Sequence, residues 1–97
     1  MNCGICDVRE ILITTRFKKD LKKAKKNPRQ DTDKLLSVIE TLAIHGVLSE
    51  DYLPHCLSGN WKPKWECHIQ PNFLLIYEVT KEVLRLERCG SHSELFE

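Results

Sequence analysis

Apolar and polar positions divide this chain into an early helical half and a late strand-forming half. Glu10 to Thr15 reads E-I-L-I-T-T, short and β-branched, which predicts a first strand. Thr14 or Thr15 caps the helix after it, in which Phe17, Leu21 and Ala24 fall at i, i+4 and i+7. Asn27-Pro28 ends that helix, because the residue before a proline is pushed out of the α region. Asp31 or Thr32 opens a second helix, with a wider stripe of Leu35, Leu36, Ile39, Leu42 and Ala43 and with Gly46 at its C-terminal end. A loop from Val47 to about Asn60 follows, broken by Pro54 and Gly59. Lys64 to Ile69 then alternates, with Trp65, Cys67 and Ile69 on one face and Lys64, Glu66 and His68 on the other. After the turn Gln70-Pro71-Asn72, Phe73 to Val79 is apolar on both faces, as a central strand covered on both sides would be. A last strand, Val83 to Cys89, turns Leu84 and Leu86 to the core, and Gly90 to Glu97 closes the chain. The expected class is α+β, a small antiparallel sheet packed by a helical hairpin in the order β-α-α-β-β-β.

Length fits this as one domain, since 97 residues suffice for a single core. The domain is expected over residues 10–97, with 1–9 a dispensable tail. With 41% hydrophobic and 30% charged residues the composition is that of a globular chain. No apolar run approaches the roughly 20 residues of a membrane helix. Met1 to Glu10 lacks the charged and apolar regions of a signal peptide, so the expected compartment is the cytoplasm. Cys3 and Cys6 form a lone C-x-x-C in the tail, with no second pair to complete a zinc site and no preceding strand. Cys56, Cys67 and Cys89 read most simply as small core residues, the alternative being a zinc cluster with His55, His68 and His92.

The net charge of +1 conceals an asymmetry: Arg16 to Arg29 holds eight basic residues and one acid, Asp20. Such a run is either a solvated helix face or a surface that follows a phosphate backbone or an acidic partner. Phosphate-loop, nucleophile-elbow and zincin motifs are absent. Among titratable groups the histidines stand out: His55 in the long loop, His68 at a strand end and His92 beyond the last strand. Imidazoles give and take protons near neutral pH. RNA carries its own nucleophile, the 2′-hydroxyl, so its cleavage needs only a base, an acid and positive charge on the phosphorane. Lys62, Lys64 and Arg88 lie near these histidines in sequence, and Phe73 and Phe96 are candidates for stacking on bases or for core packing.

Three segments carry a resemblance to a known family: T-T-R-F-K-K-D-L-K-K-A-K-K from Thr14, H-C-L-S-G-N-W-K-P-K-W-E-C-H-I-Q-P-N-F-L-L-I-Y from His55, and L-E-R-C-G-S-H-S-E-L-F from Leu86. The chain resembles RelE/ParE-superfamily toxins of the YafQ type, from about Ile11 to Phe96. The resemblance implies a RelE-like microbial ribonuclease fold and a ribosome-dependent mRNA interferase of a type II toxin–antitoxin system. Cutting A-site mRNA by 2′-hydroxyl attack would leave a 2′,3′-cyclic phosphate and a 5′-hydroxyl. It places His55, His68, His92 and Phe96 in the active site, His92 as acid and His68 or His55 as base. The resemblance makes Arg88 a cation near the scissile phosphate, and Lys62 and Lys64, with Asn72 and Phe73, complete the expected contacts to phosphate and RNA. Arg16, Lys18, Lys19, Lys22, Lys23, Lys25 and Lys26 would grip ribosomal RNA. The implied partners are mRNA on the ribosome, ribosomal RNA and a cognate antitoxin, whose complex with the toxin binds operator DNA. No cofactor, metal or membrane is implied.

Two departures from the family pattern bear on this. Asn72 stands where the family commonly has an acid, and an amide does not titrate. Trp65 stands where a family arginine is common, with Lys64 adjacent. Two other functions fit the same frame, a ParE-like gyrase inhibitor and a catalytically weak module that binds RNA or antitoxin.

Overall fold

The computed structural model describes residues 8–59 and 63–96. Strand β1 (Glu10–Ile13) leads into helix α1 (Thr15–Lys25) and helix α2 (Thr32–His45). A 3₁₀ turn (Glu50–Tyr52) precedes the two-residue strand β2 (His55–Cys56), then come β3 (Trp65–Gln70), β4 (Phe73–Val79), β5 (Val83–Gly90) and a short helix α3 (His92–Phe96). Both long helices start on the expected caps: Thr14 Oγ1 accepts the Phe17 N–H and Asp31 Oδ1 the Lys34 N–H. Gly46 ends α2 with φ 76°, a left-handed conformation that glycine adopts without strain.

The five strands form one sheet in the order β1-β5-β4-β3-β2. Neighbours pair antiparallel except β1, which lies parallel to β5 with Ile11 opposite Leu84 and Ile13 opposite Leu86. The sheet is therefore mixed at one edge, because α1 and α2 carry the chain away before it returns through β3 and β4. Also beyond the expected elements are β2, inside the segment read as a loop, and α3, in the closing segment.

The main core lies between one sheet face and the helical hairpin. Phe17, Ala24, Leu35, Val38, Ile39, Leu42 and Ala43 meet Cys67, Ile69, Phe73, Leu75, Tyr77, Leu84, Leu86 and Cys89. A smaller cluster on the other face joins Leu74 and Ile76 of β4 to Leu95, with Leu57 against it. That second cluster is why β4 is apolar on both faces. Arg9, within the segment expected to be a tail, bonds to the domain: its N–H donates to Ala43 O at 2.9 Å and its Nε–H to Thr80 O at 2.6 Å. Cys3, Cys6 and Lys62 lie outside the described residues. No helix among the described residues is long and apolar enough to cross a membrane.

Candidate active site

The site is built on the sheet face away from the helical hairpin. Alternation along β3 sends Cys67 and Ile69 into the main core, so Glu66 and His68 project to the other side. β2 pairs His55 directly opposite Glu66. On β5 a register shift opposite Ile76 and Tyr77 leaves Glu87 as an extra residue. Without it Arg88 would share the core face of Leu84 and Leu86. With it Cys89 takes the core position and Arg88 pairs with Ile76, in the same row as Glu66.

Helix α3 brings the third histidine. Ser91 and Glu94 form a capping box, with the Ser91 N–H donating to Glu94 Oε1 at 2.8 Å and the Glu94 N–H to Ser91 Oγ at 3.2 Å. Lys23 Nζ at 2.9 Å and Gln30 Nε2 at 3.3 Å also reach the Glu94 carboxylate. The Ser91 backbone bond first, then Lys23, hold this carboxyl at about 2, well below its ordinary value. Gly90 permits the approach, since a Cβ there would sit 2.9 Å from Glu94 Oε1 and 3.3 Å from its Cβ. Leu95 packs on Leu74 and Ile76, and His92 and Phe96 are left at the surface.

The three histidines form a row. Ring centres are 6.5 Å apart for His55 and His68 and 5.9 Å for His68 and His92, and Phe96 lies 6.4 Å beyond His92. Glu66, only 5% exposed, lies beneath them, with Oε1 3.1 Å from His55 Nε2 and 3.8 Å from His68 Nε2. His55 Nδ1 faces Leu53 O at 3.0 Å, so both of its ring nitrogens lie against oxygen acceptors. That carbonyl comes from a left-handed Leu53, φ 49° and ψ 49°. His68 makes no ring hydrogen bond among the described residues. Asn72 Oδ1 accepts from the His92 backbone N–H at 3.1 Å and lies 3.2 Å from its Nδ1. The amide at the family's acidic position thus holds His92 in place.

The cations and aromatics divide. Arg88 is clamped by Asp20, Nε to Oδ2 at 3.0 Å and Nη2 to Oδ1 at 2.9 Å, and Nη1 reaches Glu94 O at 3.5 Å. The Asp20 bonds raise its already high pKa. Lys64 lies between Glu78 at 2.8 Å and Glu87 at 3.0 Å, which raise its pKa while neutralising its charge. Phe73 corrects the stacking expectation: it is 1% exposed in the main core, whereas Phe96 is 43% exposed beside His92. Arg16, Lys18, Lys19, Lys22, Lys25 and Lys26 are exposed on α1, and Lys23 ties that helix to the site through Glu94. Cys67 and Cys89 lie on the opposite, core face, where burial pushes both thiols up to about 12. That separates them from the histidines with which they would have to form a zinc cluster.

Glu66 is the site residue that motif reading left out. One sequence signal pointed to it: it shares the polar face of β3 with His68. The S-x-x-E of Ser91 to Glu94 was likewise a legible helix start.

Comparison with known proteins agrees with this geometry. Residues 9–97 match the family described as the bacterial toxin of type II toxin–antitoxin systems, YafQ. The mRNA interferase toxin YafQ of Escherichia coli K12 is 38% identical over 90 residues, 91% of this chain and 96% of that protein. The crystal structure of a YafQ mutant from E. coli superimposes with a TM-score of 0.85 at 34% identity, covering 92% of this chain and 99% of that one. YafQ in the E. coli DinJ–YafQ toxin–antitoxin complex gives 0.83 at 36%, covering 92% and 98%. Sequence match, fold and the three-segment likeness coincide: the chain belongs to the YafQ family of type II toxin–antitoxin toxins.

Proposed function

We propose that this chain is an mRNA endoribonuclease toxin that acts in the ribosomal A site and is neutralised by a cognate antitoxin in the cytoplasm. The observation that carries the reading is the row His55–His68–His92–Phe96 over the buried Glu66 carboxylate. The names of its relatives support it, since the E. coli protein is an mRNA interferase and is found with the antitoxin DinJ.

The geometry supports the following chemistry. His68, with a ring nitrogen free, takes the proton of the 2′-hydroxyl as its oxygen attacks phosphorus. The O2′–P bond forms and the P–O5′ bond breaks, giving a 2′,3′-cyclic phosphate. His92, with Nδ1 held by Asn72, delivers a proton from Nε2 to the departing 5′-oxygen. His55, fixed between Leu53 O and Glu66, lines the row beside His68. Arg88 has five N–H groups and uses three, which leaves two for a non-bridging oxygen. Lys62 is a second candidate for that contact, and Phe96 stacks on a neighbouring base. Asn72 does no proton transfer; it replaces an acid as a positioning group. The lysines of α1 follow a ribosomal RNA backbone, and the antitoxin acts by covering or distorting the site.

The test is expression of wild type and His92→Ala from a tight promoter, with 5′ ends mapped on a translated message. Growth arrest with cuts inside translated codons, absent in the variant, is the expected result. Arrest with DNA damage and intact messages would replace this reading with gyrase inhibition, and neither arrest nor cuts would leave a binding module.

A further inference from the structure

A cavity of about 470 Å³ opens on the far side of the Asn72 turn, between that turn, the α1–α2 linker and the start of α3. Its size falls within the roughly 300–1,000 Å³ of small-molecule sites. Arg29, Gln70, Pro71, Asn72 and Glu94 line it, with buried Phe73 at its floor. It adjoins the histidine row through one residue, because Asn72 bonds to His92 and also forms a cavity wall.

The donors and acceptors here are unevenly spent. Asn72 Oδ1 is occupied by His92 and Gln70 Oε1 accepts the Asp31 N–H at 2.9 Å, so both amides keep their NH₂ groups. Arg29 lies exposed, and its guanidinium makes no hydrogen bond or ion pair among the described residues. The cavity thus offers N–H donors to an incoming group. Glu94, in the wall, spends its carboxylate on Lys23 and Ser91, so the open positions are two neutral amide NH₂ groups beside one arginine, a set that suits the edge of a neutral heterocycle better than a second phosphate. Pro71 adds an apolar surface against which a flat ring can lie.

We propose that this cavity receives the base next to the scissile bond, with Arg29, Gln70 and Asn72 reading an edge rich in acceptors, as guanine and uracil present. The proposal rests on the ribonuclease reading and adds the source of its sequence preference. RNA-binding proteins read splayed-out bases in this way, by hydrogen bonds to an edge and contact with a face. Arg29 then acts as a specificity-determining residue rather than as part of the lysine-rich grip.

Arg29→Ala tests this with little risk to the fold, since the side chain is exposed and makes no hydrogen bond or ion pair among the described residues. Cut positions of wild type and Arg29→Ala are mapped on the same translated messages, with His92→Ala as the blank. Guanine or uracil enriched at one position beside the wild-type cuts, and a loss of that preference by about tenfold in Arg29→Ala while cutting persists, is the expected result. Unchanged positions and rates overturn the base pocket and leave the ribonuclease reading intact. Uniformly weaker cutting at every site overturns it too, because Arg29 would then be a plain backbone contact. A wild type that makes no cuts overturns both.

Discussion

Asp20 is the one acid in the basic helix α1, and removing it should unfold the edge of the site before it affects anything else. Its carboxylate takes two bonds from the Arg88 guanidinium, at 3.0 and 2.9 Å, and one from the Cys89 N–H at 3.2 Å. β1 pairs with β5 only as far as Leu86, so Asp20 satisfies the strand edge where β1 has ended. Asp20→Ala strands both groups, leaving Arg88 only its 3.5 Å contact to Glu94 O. Losing one partner of a fully buried pair costs about 3–5 kcal/mol and of an exposed pair under about 1. Side-chain exposures of 16% for Arg88 and 13% for Asp20 place this pair nearer the buried case. We expect a loss of about 2–3 kcal/mol, a fall in Tm of roughly 10–20 °C for a domain of this size. Urea denaturation of Asp20→Ala, Arg88→Ala and the double variant measures it, with a coupling above about 1 kcal/mol expected between the two sites. A loss below about 0.5 kcal/mol for Asp20→Ala, with an unchanged m value, would refute the reasoning.

Other outcomes follow from the same contacts. Glu66→Gln keeps size and hydrogen bonding but removes the charge beneath the histidines, and should lower cleavage by about 100-fold while the thermal transition of the fold is retained; near-wild-type cutting would remove Glu66 from the mechanism. Glu94 has a folded pKa of about 2 against an unfolded value near 4.5, so its contribution is present above pH 4.5 and lost as pH falls toward 2. With partial solvent screening this amounts to about 1–2 kcal/mol, so Glu94→Gln should flatten the acid limb of a stability–pH curve. Gly90→Ala places a methyl against Glu94 and should displace α3, costing about 1–3 kcal/mol and most of the cutting, read by denaturation and by the same cleavage map.

Much of the frame was legible because it is local. The Phe17–Leu21–Ala24 spacing, the Thr14 and Asp31 caps and the 65–67–69 alternation each depend on neighbours within a turn or two. The two-faced run of β4 even announced a second cluster, which Leu57 and Leu95 supply. Partnership between distant segments was not legible. Nothing in E-I-L-I says that β1 will lie parallel to β5, and two residues around His55 are too few to carry a strand pattern. The extra residue Glu87 was invisible for the same reason, although it decides that Arg88 faces the site. Phe73 shows the limit of reading chemistry from residue type: its position on β4 commits it to the core. At the site, three histidines could be nominated from their places at element ends, but the carboxylate that His55 and His68 share appeared only when β2 and β3 were paired.

The central claim is that these histidines cleave RNA by internal transesterification. The most direct measurement is of product ends from purified translating ribosomes given wild-type protein or His92→Ala. Fragments ending in a 2′,3′-cyclic phosphate, with 5′-hydroxyl partners, formed by wild type and lost in His92→Ala, are the predicted result. Fragments with 5′-phosphate ends, or equal cutting by His92→Ala, would contradict it.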